Sequence, residues 1–263
     1  MSDIPKGRPS LSIFDLTGKT ALITGSSQGI GLSLATALAG AGARVILNGR
    51  SEDKLHAAAQ GLREAGADVA ISVFDVTAPQ AIAAAVDGLE RTGYVIDILV
   101  NNAGIQRRHS LEDFPADAWR DIMKTNLDSV FFVGRAVANH MIRRRRGKII
   151  NISSVQAELA RPGISPYTAS KGAVKNLTKG MCADWARYGL QINAIGPGYF
   201  ATPLNETLVN DPIFDDWLRK RTPAGRWGRV EELHGAVIFL ASAASDFMNG
   251  QTIYVDGGIL SVL

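Results

Sequence analysis

The chain has 263 residues, of which 46% are hydrophobic and 20% are charged, and this composition excludes a disordered chain or a coiled coil. Its net charge of +3 is mildly basic, so an anionic partner has to be considered. The single cysteine, Cys182, excludes an intramolecular disulfide framework and a cysteine-based zinc site.

The sequence predicts neither a membrane segment nor a secretory signal. It contains no run of about 18 uncharged apolar residues, which a transmembrane helix would need. Residues 1–10 contain Asp3 and two prolines but no apolar run, which does not fit a secretory signal. We therefore expect a cytoplasmic protein that makes no membrane contact.

Short apolar runs alternate with helical patterns along the chain. This alternation is typical of a parallel sheet with helices on both faces, because each crossover between parallel strands needs a helix. It predicts an α/β fold formed by one doubly wound domain over residues 1–263. The predicted strands are 19–24, 44–47, 69–74, 96–100, 148–152, 191–195 and 252–255, and the predicted helices are 29–41, 51–65, 78–91, 117–142, 166–188 and 231–242.

Residues 202–230 interrupt this alternation. The segment is rich in proline, glycine and aromatic residues, and long insertions of this kind are usually functional. We predict that it covers a substrate site.

Three glycines follow the first predicted strand, with the spacing G-x-x-x-G-x-G. Glycines allow the backbone to turn sharply and approach a pyrophosphate, while the next helix supplies free N–H groups at its N-terminus. An ordinary glycine-rich turn is the alternative, but the position between a strand and a helix favours a dinucleotide. The residues expected to contact the cofactor here are Gly25, Ser27, Gln28, Gly29, Ile30 and Gly31.

The end of the second strand indicates which dinucleotide is bound. NAD-binding folds usually place Asp or Glu about here, to accept a hydrogen bond from the ribose 2′-hydroxyl. This chain has Asn48 and Arg50 instead, and an arginine fork suits a 2′-phosphate. We predict NADP(H), with NAD(H) as the alternative if Arg50 only faces solvent.

The next two strand ends also supply predicted cofactor contacts. Asp75 is placed to accept a hydrogen bond from an adenine amino group, or else to cap the next turn, and Val76 follows it. Asn102, Ala103 and Gly104 follow the fourth strand, at the edge where doubly wound folds bind ligands.

Tyr167 and Lys171 are four residues apart in a predicted helix and should share one face. A phenol with a pKa of about 10 exchanges protons poorly near neutrality. A nearby ammonium group would lower that pKa, so the pair predicts acid–base catalysis, with a surface pair as the alternative. Ser154 could hold a carbonyl oxygen, and Asn126 in the long helix could order a water.

These motifs together resemble the short-chain dehydrogenase/reductase family over essentially the whole chain. The resemblance implies a Rossmann-type seven-stranded sheet, a homotetramer or homodimer, and hydride transfer between NADP(H) and a carbonyl substrate. The matching segments are Thr24–Gly31, Asn101–Gly104, Asn126, Ser154, Tyr167–Lys171 and Pro197–Gly198.

The same resemblance implies the role of each site residue. Asn126, Ser154, Tyr167 and Lys171 would be the catalytic residues, with Asn126 anchoring a water for proton relay. Tyr167 and Lys171 would also touch the cofactor, Lys171 at the nicotinamide ribose. Further cofactor contacts would come from Asn102, Pro197, Gly198 and Thr202, with Thr202 near the carboxamide.

The loop after the fourth strand contains Arg107, Arg108 and His109. Because arginine grips a carboxylate through two parallel hydrogen bonds, the loop suggests an anionic substrate, unless it is simply solvated. Adjacent side chains diverge, so we predict that Arg108 alone points inward. Ser154, Tyr167, Gln156 and Glu158 are the other predicted substrate contacts, with loop packing as the alternative for the last two.

Four further segments resemble the family members that reversibly interconvert D-gluconate and 5-keto-D-gluconate. This implies a sugar-acid substrate. The alternatives are another ketone, such as a 3-oxoacyl chain or a different keto-sugar acid, and a dinucleotide-binding regulator without turnover. The segments are 101–109, 180–182, 197–200 and 221–228.

Two other classes of ligand are not expected. The run Arg143–Arg146 has no interleaved aromatic residues and follows a helical pattern, which favours a solvated helix end over a nucleic-acid patch. The four histidines lack ligand-like spacing with carboxylates or thiols, so we expect no metal site.

Overall fold

A computed structural model describes residues 11–263 of the chain and shows a seven-stranded parallel sheet with helices packed on it. The prediction about a secretory signal concerns residues 1–10, which lie outside the described residues. The strands are β1 (Thr20–Ile23), β2 (Arg44–Gly49), β3 (Val69–Val73), β4 (Ile96–Asn101), β5 (Gly147–Ile152), β6 (Leu190–Pro197) and β7 (Thr252–Val255).

The helices lie where the sequence predicted crossovers between parallel strands, and the predicted α/β fold is confirmed. The helices are α1 (Gly29–Gly40), α2 (Glu52–Glu64), α3 (Pro79–Arg91), α4 (Ala116–Met123), α5 (Ser129–Arg144), α6 (Ser165–Trp185), α7 (Glu206–Val209), α8 (Pro212–Arg221) and α9 (His234–Ala241).

The strand order is β3-β2-β1-β4-β5-β6-β7, so the direction of winding reverses between β1 and β4. In open parallel sheets, ligands bind where such a reversal leaves a crevice outside the carboxyl ends of the strands. The segments that follow β1 and β4 therefore meet at the expected binding position.

The sheet is buried on both faces, which explains why its strands are almost entirely apolar. In β1, Ala21 and Ile23 belong to one core and Leu22 to the other. The first core packs the sheet against α1, α2 and α9, and the second packs it against α3, α5 and α6. The two layers hold the strand ends, and with them the site, in a fixed arrangement.

The long helix predicted over residues 117–142 is interrupted. A π-helical turn, Lys124–Asp128, separates α4 from α5, although the backbone stays right-handed helical throughout. The wider turn contains Asn126, whose side chain bonds the backbone of Ile105 in the loop after β4. Single π turns in helices are frequent at functional sites.

Residues 202–230 contain α7, α8 and a loop that returns to the sheet. Trp227, Phe214 and Trp217 surround Tyr199 with ring centroids 5.6 to 6.3 Å from it. The Trp227 indole also donates a hydrogen bond to Asp215 (2.7 Å). This aromatic cluster fixes the segment beside the carboxyl end of β6.

The arginine run at the end of α5 is more than a solvated helix end. Arg144 donates to Glu90 (2.7 Å) and to the Ile96 carbonyl (2.8 Å), which ties α5 to α3 and to the start of β4. Arg145 adopts a left-handed conformation at the helix end.

Within residues 11–263 no helix is long and apolar enough to cross a membrane.

Candidate active site

A cleft of about 760 Å³ lies at the carboxyl ends of the strands, at the reversal between β1 and β4. Nearly all the residues predicted to bind cofactor or substrate line it, and the exceptions are Asn126 and Glu158. The cleft is lined by Gly25, Ser27, Gln28, Gly29, Ile30, Gly31, Asn48, Arg50, Asp75, Val76, Asn102, Ala103, Gly104, Arg108, Ser154, Gln156, Tyr167, Lys171, Pro197, Gly198 and Thr202, among others.

The glycine-rich loop forms one end of the cleft. Gly29 has a φ of +60°, a conformation that favours glycine, and it begins α1. At Gly31 a Cβ atom would lie 2.4 Å from Asn102 Nδ2 and from the Gly25 carbonyl oxygen, so only glycine fits. No side chain caps the N-terminus of α1. Its first N–H groups are therefore free to receive an anion.

Asn102 and Asn48 hold this loop in place rather than only facing the cleft. The Asn102 amide donates to the carbonyl oxygens of Thr24 and Gly25, both at 2.9 Å. The Asn48 amide donates to the carbonyls of Ser72 and Phe74, both at 3.1 Å, and its Oδ1 accepts from the Gly25 N–H (3.4 Å). These bonds connect the ends of β1, β2, β3 and β4 into one rigid rim.

Arg50 and Lys54 line the cleft beyond β2, and Asp75 lines it beyond β3. Asp75 accepts a hydrogen bond from the Thr77 N–H (2.8 Å), which is the turn-capping alternative considered for this residue. Burial raises the pKa of Asp75, but the Thr77 hydrogen bonds and the charge of Arg50 outweigh this effect and leave the pKa below its usual value. Asp75 is therefore ionised at neutral pH.

Tyr167 and Lys171 lie on the same face of α6, as predicted, and both face the cleft. The Lys171 Nζ lies 5.7 Å from the centroid of the Tyr167 ring and donates to the Ile152 carbonyl (2.7 Å). Lys171 is buried, and desolvation lowers its pKa to about 8. The ammonium form therefore gives way to the neutral amine as the pH rises through about 8.

The predicted lowering of the Tyr167 pKa is wrong for the protein as described. Burial raises the pKa of this phenol, and this effect outweighs the opposing hydrogen bond from Ser154 and the charge of Arg108. The Lys171 charge is not among the causes that shift the pKa of this phenol. Tyr167 is consequently protonated at neutral pH, as a proton donor to a carbonyl must be.

Ser154 and Asn126 occupy different positions around this pair. The Ser154 hydroxyl is hydrogen-bonded to Tyr167 and also accepts from the Gln156 N–H (3.1 Å), so it lies at the floor of the cleft. Asn126 is fully buried behind the floor. Its Nδ2 donates to the Ile105 carbonyl and the Ser170 hydroxyl, and its Oδ1 accepts from the Ile105 N–H.

The far end of the cleft contains two arginines. Arg108 comes from the loop after β4, and Arg161 comes from the loop between β5 and α6. Loss of solvation and the charge of Arg161 lower the pKa of Arg108. Arg107 lines the cleft as well, and both residues are exposed, so the expectation that only Arg108 faces inward is too strict.

Tyr199 connects these arginines to the rest of the cleft. Its hydroxyl accepts hydrogen bonds from Gln156 Nε2 (3.1 Å) and from Arg161. Because a hydroxyl has two acceptor lone pairs and one donor, the Tyr199 proton remains available to a ligand. Nothing in the sequence indicated this polar role of Tyr199.

Several polar atoms around this end are buried without a hydrogen-bond partner among the described residues: Gln106 Oε1, Gln156 Oε1 and Arg161 Nε. Such atoms are costly unless a ligand or water satisfies them. Glu158, by contrast, does not face the cleft. It pairs with Lys175 and Tyr254, so its predicted contact with a substrate hydroxyl is wrong.

Sequence reasoning missed Arg161, Gln106 and the polar role of Tyr199. None belongs to a motif, and Arg161 lies in a loop more than 50 residues from Arg108. The one signal in the sequence was an arginine between Ser154 and Tyr167. The length of the loop that contains it does not predict where its side chain points. Among residues 11–263, no three His, Cys, Asp or Glu side chains come together as a metal site.

Comparisons with known proteins agree with this geometry. A family profile described as "Enoyl-(Acyl carrier protein) reductase" matches residues 25–260. The chain belongs to the short-chain dehydrogenase/reductase family. The resemblance inferred from the dispersed motifs is thereby confirmed over nearly the whole chain.

Within this family, similar relatives act on sugar acids, as their names state. The chain is 61% identical to gluconate 5-dehydrogenase of Gluconobacter oxydans, over 94% of this chain and 96% of that protein. It is 50% identical to 5-keto-D-gluconate 5-reductase of Escherichia coli, over 94% and 98% of the two chains.

A solved structure within the family is also similar. The chain superimposes with a TM-score of 0.94 on a crystal structure of a gluconate 5-dehydrogenase from Burkholderia cenocepacia in complex with NADP and tartrate. The two are 60% identical, and the match covers 96% of this chain and 99% of that one.

Proposed function

We propose that the chain catalyses the reversible interconversion of D-gluconate and 5-keto-D-gluconate with NADP(H). The observation that carries this proposal is one continuous cleft, which runs from the glycine-rich loop past Tyr167 and Lys171 to Arg108. A keto acid has matching polarity, with a carbonyl for the Tyr167 hydroxyl and a carboxylate for an arginine. The named activities of the relatives in Gluconobacter oxydans and Escherichia coli are the same reaction.

The nucleotide end of the cleft fits a phosphorylated dinucleotide. The uncapped N-terminus of α1, with Gly29 at its start, suits a pyrophosphate. Arg50 and Lys54 line the position where a 2′-phosphate would lie, and the end of β2 has no carboxylate to accept from a free 2′-hydroxyl. The structure of the Burkholderia cenocepacia relative contains NADP.

Tyr167 acts as the acid in reduction and as the base in oxidation. When bound, NADPH supplies the hydride that reaches the keto carbon. Ser154 donates a hydrogen bond to the carbonyl oxygen, and the protonated Tyr167 hydroxyl delivers the proton to that oxygen. In the reverse direction, the Tyr167 oxygen accepts the proton from the substrate hydroxyl.

Lys171 and Asn126 support this proton transfer in different ways. The Lys171 ammonium, held by the Ile152 carbonyl, places positive charge beside the Tyr167 ring and stabilises the phenolate once the proton has left. Asn126 holds the Ile105 backbone, so it positions the floor of the cleft. The Asn126 Oδ1 has a second lone pair, which accepts a hydrogen bond from a relay water.

At the substrate end, we assign Arg108 to the carboxylate and Gln156, through its unpartnered Oε1, to a substrate hydroxyl. Residues 202–230 cover this end, since Phe214 packs against Tyr199 and Arg161, which both line the cleft. We further propose that the chain works as one domain, assembles as a homotetramer or homodimer, and acts in the cytoplasm.

The deciding experiment is an assay of purified protein with 5-keto-D-gluconate and each reduced nicotinamide nucleotide. Consumption of NADPH with formation of gluconate supports the proposal. Turnover of a 3-oxoacyl compound or a different keto-sugar acid in place of 5-keto-D-gluconate would assign another ketone. Tight NADPH binding without turnover of any of these ketones would instead indicate a regulator.

A further inference from the structure

Arg161 lines the same cleft as Arg108, although it comes from a different loop. The two guanidinium groups are close enough for the charge of Arg161 to lower the pKa of Arg108, after the effect of lost solvation. In the part of the chain that the structure describes, neither is paired with an acidic side chain. Two like charges facing one space without a counter-ion favour the binding of an anion there.

The Arg161 side chain is also held in one orientation. Its guanidinium lies 5.3 Å from the centroid of the Phe214 ring in α8, and it donates to the Tyr199 hydroxyl. Its Nε is buried and lacks a hydrogen-bond partner. A guanidinium oriented by a ring and a hydroxyl loses little freedom when it binds a carboxylate.

We propose that Arg161 is a substrate-binding residue that grips the carboxylate of the sugar acid together with Arg108. This inference rests on the proposed function, because it takes the ligand to be a keto acid. The bound carboxylate neutralises the repulsion between the arginines. An uncharged substrate of similar length would leave both charges uncompensated, so Arg161 contributes to specificity for acids.

The test compares Arg161→Met and Arg161→Lys with the wild type in 5-keto-D-gluconate reduction. Methionine keeps an apolar stem against Phe214 but removes the charge. We expect Arg161→Met to raise the KM for 5-keto-D-gluconate at least tenfold and to change the KM for NADPH less than twofold. The KM of Arg161→Lys for 5-keto-D-gluconate should lie between those of the wild type and Arg161→Met. Arg120→Met, at an exposed arginine of α4 outside the cleft, is the matched control.

Two results would overturn the inference. One is an Arg161→Met enzyme whose KM for 5-keto-D-gluconate stays within twofold of the wild type. The other is an equal rise of both Michaelis constants, since a general loosening of residues 202–230 would affect both ligands.

A binding measurement separates this inference from the proposed function. If the wild type does not reduce 5-keto-D-gluconate, the proposed function fails. Tartrate protection against thermal unfolding in the presence of NADP⁺ still tests the anion site. Protection of the wild type that is lost in Arg161→Met but kept in Arg120→Met supports Arg161, and equal protection of all three proteins refutes it.

Discussion

The Nζ atom of Lys171 lies 5.7 Å from the centre of the Tyr167 ring and is fixed there by the Ile152 carbonyl, 2.7 Å away. The amine therefore faces the aromatic ring, while the phenolic hydroxyl meets Ser154. This arrangement separates two tasks, since Ser154 orients the hydroxyl and Lys171 provides charge beside the ring.

Tyr167→Phe should lower kcat for 5-keto-D-gluconate reduction at least about 100-fold, because it removes only the proton that the carbonyl oxygen receives. Nucleotide binding should survive, since the ring is kept. Steady-state kinetics and a fluorescence titration with NADPH measure the two effects. Retention of more than a tenth of the wild-type kcat would contradict the role of Tyr167 as acid.

The reduction rate should fall as the pH rises above about 8. Burial lowers the pKa of Lys171 to about 8, so its positive charge disappears there, while the raised pKa of Tyr167 keeps the phenol protonated. A pH profile of kcat/KM checks this. Lys171→Arg should move this fall to higher pH because the guanidinium group stays charged. If the fall occurs at the same pH in Lys171→Arg, Lys171 is not its cause.

Lys171 should also destabilise the fold at neutral pH. A pKa lowered from 10.5 to about 8 corresponds to a penalty of about 3 kcal/mol on the charged form. The penalty is complete below pH 8 and vanishes as the pH approaches 10.5, since the unfolded chain binds the extra proton in that interval.

The free energy of unfolding of Lys171→Met minus that of the wild type should therefore decrease between pH 7 and pH 10. Urea titrations at several pH values measure it. Lys179→Met, at an exposed lysine of the same helix, is the control and should show no such trend. A pH-independent difference for Lys171→Met would show that its pKa is not lowered.

Arg50→Ala should raise the KM for NADPH about tenfold or more and leave the KM for NADH within twofold. The expected loss is one charge-assisted contact to the 2′-phosphate, worth about 1.5–3 kcal/mol. Initial rates with each nucleotide give the ratio. An unchanged preference for NADPH would remove Arg50 from the assignment and point to Lys54, which lines the same part of the cleft.

Arg108→Ala should raise the KM for 5-keto-D-gluconate at least tenfold and that for NADPH less than twofold. The guanidinium lies at the far end of the cleft from the glycine-rich loop, so the nucleotide should not sense its loss. Arg120→Ala serves as the control. A parallel rise in both constants would indicate that Arg108 supports the loop rather than the substrate.

The sequence by itself determined the order of strands and helices, the glycine-rich loop and the Tyr167–Lys171 pair. These features depend on local properties, namely the period of apolar residues and the spacing of side chains along one helix. The sequence likewise predicted the preference for NADP. This preference depends on one position at the end of β2, where the chain has an arginine in place of the acidic residue that would select NAD.

Only the tertiary structure decided the direction of the Tyr167 pKa, the π turn at Asn126 and the meeting of Arg161, Arg108 and Tyr199. Each depends on neighbours that are distant in the chain. Burial of the phenol outweighs nearby charges, and the Asn126 turn forms against the Ile105 backbone. Spacing along a chain cannot reveal desolvation or a contact between loops, because both arise only when separate elements pack together.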